Sequence, residues 1–132
     1  MSQENVEIAQ RMIDAYNCGD VGAFADLATA DFEWLTSMGA IEGEIFRGRE
    51  GIETYFANLS AAWEELQLYV DEFRDLGDRV VWLGRIRGSG RSSGAHVDAP
   101  MGVVAELRDG KTSRIRSYLD HDEALRAAGL AG

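Results

Sequence analysis

The stretch Arg79-Val80-Val81-Trp82-Leu83-Gly84-Arg85-Ile86 constrains the fold more than any other part of the chain. It alternates as a strand, yet Val80, Trp82 and Ile86 point one way while Val81 and Leu83 point the other. Antiparallel sheets usually keep one wet face, so a strand apolar on both sides needs two covers. The segment from His96 to Leu107 repeats the pattern, with Val103, Ala105 and Leu107 set against Val104. Helices and a pocket can cover one face. For the other we expect a homodimer through the convex side of the sheet, with the C-terminal tail as the alternative cover.

The rest of the chain supplies the helices and the remaining strands. Val6, Ala9, Met12, Ile13 and Tyr16 recur at helical spacing, and Gly19 reads as the C′ residue of that helix. Asp20 can cap a second, short helix carrying Phe24, Leu27 and Ala28. Phe32 to Thr36 reads as a short strand, followed by an irregular stretch from Ser37 to Gly48 in which the loop from Ser37 to Arg47 could act as a lid. Ile52, Tyr55, Phe56, Leu59 and Trp63 form one apolar face of a third helix. Strands are expected at 66–76, 79–88, 96–107 and 112–119, with turns at Gly77-Asp78 and Arg108-Asp109-Gly110-Lys111. A last short helix, capped by Asp122, ends near Gly129. Helices first and a strand meander afterwards signal one α+β domain spanning 1–132 with a largely antiparallel sheet.

Charge and cysteine count narrow the partners. The formal net charge is -10, and the first sixty residues hold eleven acids against three bases. An acidic surface argues against nucleic acid and anionic membranes, which both demand a basic footprint. Cys18 is the sole cysteine, so no intrachain disulfide forms. The polar start, Met1-Ser2-Gln3-Glu4-Asn5, does not read as a signal peptide, and no apolar run approaches the roughly 20 residues that span a bilayer. A cytoplasmic location is the expectation.

Several short motifs, in order, resemble a known family. They are Ala15-Tyr16-Asn17-Cys18-Gly19-Asp20 with Phe24, Phe46-Arg47-Gly48-Arg49-Glu50-Gly51-Ile52, and Asp75-Leu76-Gly77-Asp78-Arg79-Val80-Val81. Asp109-Gly110-Lys111 and Tyr118-Leu119-Asp120, leading to Ala124-Leu125, complete the series. In this the chain resembles SnoaL-like (polyketide cyclase-like) members of the nuclear transport factor 2-like superfamily, from about Val6 to Leu130. The resemblance implies a cone: a curved antiparallel or mixed sheet wrapped around three N-terminal helices, with a central cavity, in the manner of an α+β barrel. It also implies dimers. The family holds cyclases, ketosteroid isomerases, epoxide hydrolases, dehydratases and non-catalytic members, so fold leaves chemistry open.

Two functional readings follow. In the first, the chain is an isomerase, cyclase or hydrolase working without a cofactor on an apolar carbonyl or polyketide-like compound. Its resemblance to SnoaL-type cyclases puts the acid/base carboxylate at Asp120, where burial among aromatics would raise the pKa toward neutrality; the competing role for Asp120 is a helix cap or a pair with Arg116. In the second, the chain is a non-catalytic ligand-binding or dimerisation domain. Ketosteroid isomerase chemistry fits poorly, because Leu35 or Thr36 stands at the base position and Met12 at the oxyanion tyrosine. Trp34, Tyr55, Trp82, Met101, Tyr118 and Arg116 are the expected ligand contacts, an aromatic set with a few polar tips. Arg85, Arg87, Arg91, Arg114 and Arg116 could form a basic rim if their strands pair. His96-Val97-Asp98 and His121-Asp122 match no strong zinc spacing, so no metal is expected.

Overall fold

The computed structural model describes residues 2–35, 45–92 and 94–130. The chain runs α1 (Ser2–Cys18), α2 (Val21–Asp26), β1 (Ala28–Leu35), β2 (Phe46–Arg47), α3 (Gly48–Ala62), β3 (Trp63–Asp75), β4 (Arg79–Gly90), β5 (His96–Arg108), β6 (Lys111–Tyr118) and α4 (His121–Ala127). The six strands form one curved mixed sheet in the order β2-β1-β6-β5-β4-β3. All neighbours are antiparallel except β1 and β6, which run parallel. The sheet stays open, with β2 and β3 at its edges, so the expected cone is not a closed barrel. The expected lid lies mostly in 36–44, outside the described residues.

The apolar stripes of the first three helices pack on the concave face. Met12, Phe24, Ile52 and Phe56 join Val80, Trp82, Ile86, Val103 and Ile115 in one buried cluster. Strand parity does the sorting, since successive side chains alternate between faces. Bulges and irregularities reset it at several points, two of which matter most for the core. One lies between Val70 and Glu72 of β3, so Leu68 and Phe73 both pack toward the core. The second lies in β6 before Arg114, so Thr112 and Ile115 are both buried. Gly84 stands opposite the first bulge, where an added Cβ would come within 1.8 Å of the Tyr69 carbonyl oxygen. Only glycine tolerates that approach.

Local periodicity misplaces two helix ends: Ala28, read on the second helix, instead begins β1 after α2 ends at Asp26. Trp63 follows the apolar spacing of α3, yet it is extended and begins β3. The cause is distant in sequence. Arg91 donates its backbone N–H to the Ala62 carbonyl at 3.0 Å, its Nε to the Ser60 carbonyl at 3.0 Å and its Nη2 to the Trp63 carbonyl at 3.3 Å. These bonds meet the orphan carbonyls at the helix end and place a cation at the negative pole of the dipole.

The convex face is covered in part by the chain itself. Its apolar patch of Val81, Leu83 and Val104 packs against Ala124 and Ala128 of α4. Gly102 makes the seat, because a methyl there would lie 2.5 Å from the Ala124 Cβ. Arg79 fastens the far end of the helix, donating Nε and Nη2 to the Ala128 carbonyl at 3.1 and 2.6 Å. The C-terminal alternative therefore covers the apolar residues that pointed to a partner. The remainder of this face is polar: Arg85 and Arg87 reach Asp98 at 2.8 and 3.4 Å, and Tyr69, 52% exposed, lies under the Arg87 guanidinium.

The outer edge of the sheet has a cover of its own. At the end of α1, the Asn17 side chain donates to the Leu68 carbonyl at 3.0 Å and accepts from the Leu68 N–H at 2.8 Å. It pairs with β3 as a neighbouring strand would.

Candidate functional site

A cavity sits between α1–α3 and the concave face. It leaves about 40 Å³ for the centres of water-sized molecules. That holds a water or two and falls well short of the ~150 Å³ cavity that admits benzene. Its walls are nearly all apolar, from Met12 and Ile13 of α1 to Met101, Val103 and Ile115 of the sheet. Trp34 stacks on Phe24 at 4.7 Å between centroids, with the rings 8° from parallel, and meets Tyr55 edge-on at 4.3 Å.

Five of the lining side chains carry a nitrogen or oxygen atom: Tyr16, Trp34, Tyr55, Trp82 and Ser117. The Tyr16 and Tyr55 hydroxyls are hydrogen-bonded to each other. Burial above all, then the neighbouring Tyr55 and the bond to it, pushes the Tyr16 hydroxyl well above the ordinary tyrosine range, so it stays protonated. Trp82 is 3% exposed, and its indole Nε1–H is buried with no hydrogen-bond partner among the described residues. An unmade buried hydrogen bond costs about 1–3 kcal/mol. A ligand acceptor would recover that loss. Among the described residues no carboxylate and no cation lines the cavity.

Of the residues expected at the site, Trp34, Tyr55, Trp82 and Met101 line the cavity. Three do not. Tyr118 packs on the convex cluster beneath α4. Arg116 stands opposite Val104 on that same face and reaches Glu106 at 3.8 Å. The bulge in β6 sets this parity: Ile115 and Ser117 face inward, so Arg114, Arg116 and Tyr118 face out. Asp120 is exposed and caps α4, its Oδ1 accepting from the N–H groups of Asp122 at 2.8 Å and Glu123 at 3.3 Å. Asp122, expected as the cap, lies in the first turn of that helix instead. Asp120 thus lacks the aromatic burial that an acid/base role requires.

The other candidates are dispersed. β5 separates β4 from β6, so their arginines form no common rim; Arg114 pairs with Glu33 at 3.6 Å and Arg85 and Arg87 with Asp98. The His121 ring lies 2.8 Å from the Gly84 carbonyl through Nε2, and His96 is exposed. Among the described residues no three His, Cys, Asp or Glu side chains gather as a metal site. Besides apolar lining residues such as Met12, Phe24 and Ile115, two that carry a hydroxyl, Tyr16 and Ser117, were not among the expected ligand contacts. Each had a signal: Tyr16 follows Met12 and Ile13 on one helical stripe, and Ser117 shares the parity of Ile115.

A curved, open six-stranded mixed sheet packed on three helices defines an α+β class. Residues 9–115 match the SnoaL-like domain family, and the chain belongs to it. Solved structures agree on the fold. An NTF2-like protein of unknown function from Burkholderia pseudomallei is 20% identical, covers 93% of this chain and 95% of its own, and has a TM-score of 0.80. TerC, co-crystallised with polyporic acid, is 22% identical over 96% of this chain and 97% of its own, with a TM-score of 0.78. A putative SnoaL-like polyketide cyclase from Jannaschia is 24% identical over 97% and 90%, with a TM-score of 0.76. No curated protein matches the chain in sequence. No helix among the described residues is long and apolar enough to cross a membrane.

Proposed function

We propose that the protein binds a small, neutral, apolar compound bearing a carbonyl oxygen. The observation that carries this is that Trp82, whose buried Nε1–H has no partner among the described residues, is one of the side chains lining an otherwise apolar cavity. A buried donor without a partner selects for an acceptor and against a plain hydrocarbon. The Tyr16–Tyr55 hydroxyl pair adds a second polar point in the same walls. Donors polarise a carbonyl; removing a proton beside it needs a base, and the described walls offer none. The site therefore favours binding over acid–base conversion. Similarity to a putative SnoaL-like polyketide cyclase and to TerC, co-crystallised with polyporic acid, supports a small organic ligand.

Acetophenone and ethylbenzene differ chiefly in the carbonyl and test this directly. Trp34 and Trp82 line the cavity, so tryptophan fluorescence reports occupancy. The ketone should bind about fivefold to tenfold more tightly than the hydrocarbon, the worth of one buried hydrogen bond. In Trp82→Phe that preference should vanish. Equal affinities in the unaltered protein would sink the proposal. A homodimer remains a separate proposal, and it now rests on the exposed Tyr69 with Arg87 above it. Sedimentation of Tyr69→Glu against the parent checks it.

A further inference from the structure

The cavity has a far larger neighbour. A cleft of about 1000 Å³ opens between the ends of α1 and α3 and the β3–β4–β5 end of the sheet. Among the described residues Tyr16 alone lines both spaces. It stands on the last turn of α1, three residues before Gly19, whose φ of 71° ends the helix. Its hydroxyl is buried against Tyr55, while the residue as a whole is only half-buried and borders the cleft. Phe56, on the cleft wall, meets its ring edge-on at 6.1 Å.

Size makes this position matter. At about 40 Å³ the cavity is too small for even one aromatic ring as it stands. The remaining walls come from packed helices and strands, whereas Tyr16 is held by one hydrogen bond and ring contacts. A turn of its side chain toward the cleft would displace the one described residue that borders both spaces. The cleft itself is lined by Leu59, Trp63 and Leu66 together with Glu64, Glu65 and Arg87. With acids outnumbering the free cations there, an anionic tail gains nothing. Arg91 already serves the end of α3, and Arg87 shares Asp98 with Arg85.

We infer that Tyr16 is a gate between the cavity and the cleft, and that the ligand is an elongated neutral molecule. Its apolar carbonyl end enters the cavity past Tyr16 and its polar tail lies along the cleft beside Trp63. This inference rests on the proposed carbonyl-binding cavity and adds the ligand's length, its neutrality and its way in.

The probes are acetophenone and a phenyl ketone carrying a neutral oligo(ethylene glycol) tail, followed by stopped-flow tryptophan fluorescence. Tyr16→Phe keeps the ring and cuts the bond to Tyr55. It should speed association and dissociation of both ketones about fivefold, the share of one neutral hydrogen bond. The tailed ketone should bind the parent more tightly than acetophenone and change the Trp63 signal, identified by its loss in Trp63→Phe. Unchanged rates in Tyr16→Phe, with both ketones still binding, overturn the gate and leave the cavity proposal standing. No gain from the tail, with Trp63 silent, overturns the elongated ligand. Absence of binding by either ketone to parent and variant removes the cavity proposal and the gate together.

Discussion

Val80 and Val81 are chain neighbours, yet they serve opposite faces of one strand. Val80 belongs to the concave cluster, with Trp34, Phe24 and the cavity; Val81 belongs to the convex one, under α4. The concave face is closed by rings and holds an unpaired donor. Beyond α4 the convex face carries ion pairs, such as Arg85 with Asp98 at 2.8 Å, whose side chains are about half exposed, beside the exposed Tyr69. Identical strands therefore carry a dry surface tuned for a ligand and a wet one tuned for solvent. Which residue serves which is decided by register and not by residue type.

The largest contrast should come from removing one group on each face. Trp34→Ala deletes the ring that stacks on Phe24 and should lower stability by about 3–5 kcal/mol in urea unfolding. Arg85→Ala should stay within about 1 kcal/mol, as exposed pairs do. Similar losses would erase the distinction between the faces. Next is the seat of α4. Gly102→Leu forces the helix away from the sheet and should cost about 1–3 kcal/mol, with faster amide exchange in α4 while ketone binding persists. A smaller effect is expected at the cap: Asp120→Ala should cost ~1 kcal/mol and leave acetophenone affinity unchanged. Lost binding there would return Asp120 to the site chemistry.

Two pH effects close the series. The Tyr16 pKa is raised by burial and by Tyr55, so its folded form resists ionisation. Its contribution is fully present below about pH 10, the ordinary tyrosine value, and is lost as pH climbs from there through the raised folded value. Alkaline unfolding of Tyr16→Phe should accordingly show a shallower pH dependence than the parent. On the wet side, the hydrogen bond from Arg108, then that from Thr29, holds Asp31 at about 2. That contribution is present above the ordinary carboxylate pKa and fades as pH falls through about 2. Asp31 is fully exposed, so the parent and Asp31→Asn should differ only slightly in urea midpoint, and less still in high salt.

The fold was legible because its signals are local or periodic: the stripe of α1, the glycine turns, the two-faced strands. The family resemblance was legible for the same reason. The end of α3 was not, because Arg91 terminates it from across the chain. The site divided along the same line. Trp34, Tyr55, Trp82 and Met101 lie on elements whose inward face is marked by large apolar neighbours. Tyr118 and Arg116 were expected at the site for their residue types, and the bulge in β6, which no residue pattern announces, turns them to the other face. Asp120 has the composition of both a cap and a catalyst, and only the path of the backbone after Tyr118 separates them.

Asn17 has a consequence for life in a crowded solution. A long outer strand with bare N–H and C=O groups is a template on which another chain can add. The amide of Asn17 occupies both groups at Leu68, midway along β3, as a one-residue imitation of the next strand. A foreign segment would have to displace it before it could zip along the edge. The same helix end that carries the cavity's tyrosine one residue earlier thus also guards the molecule against polymerising.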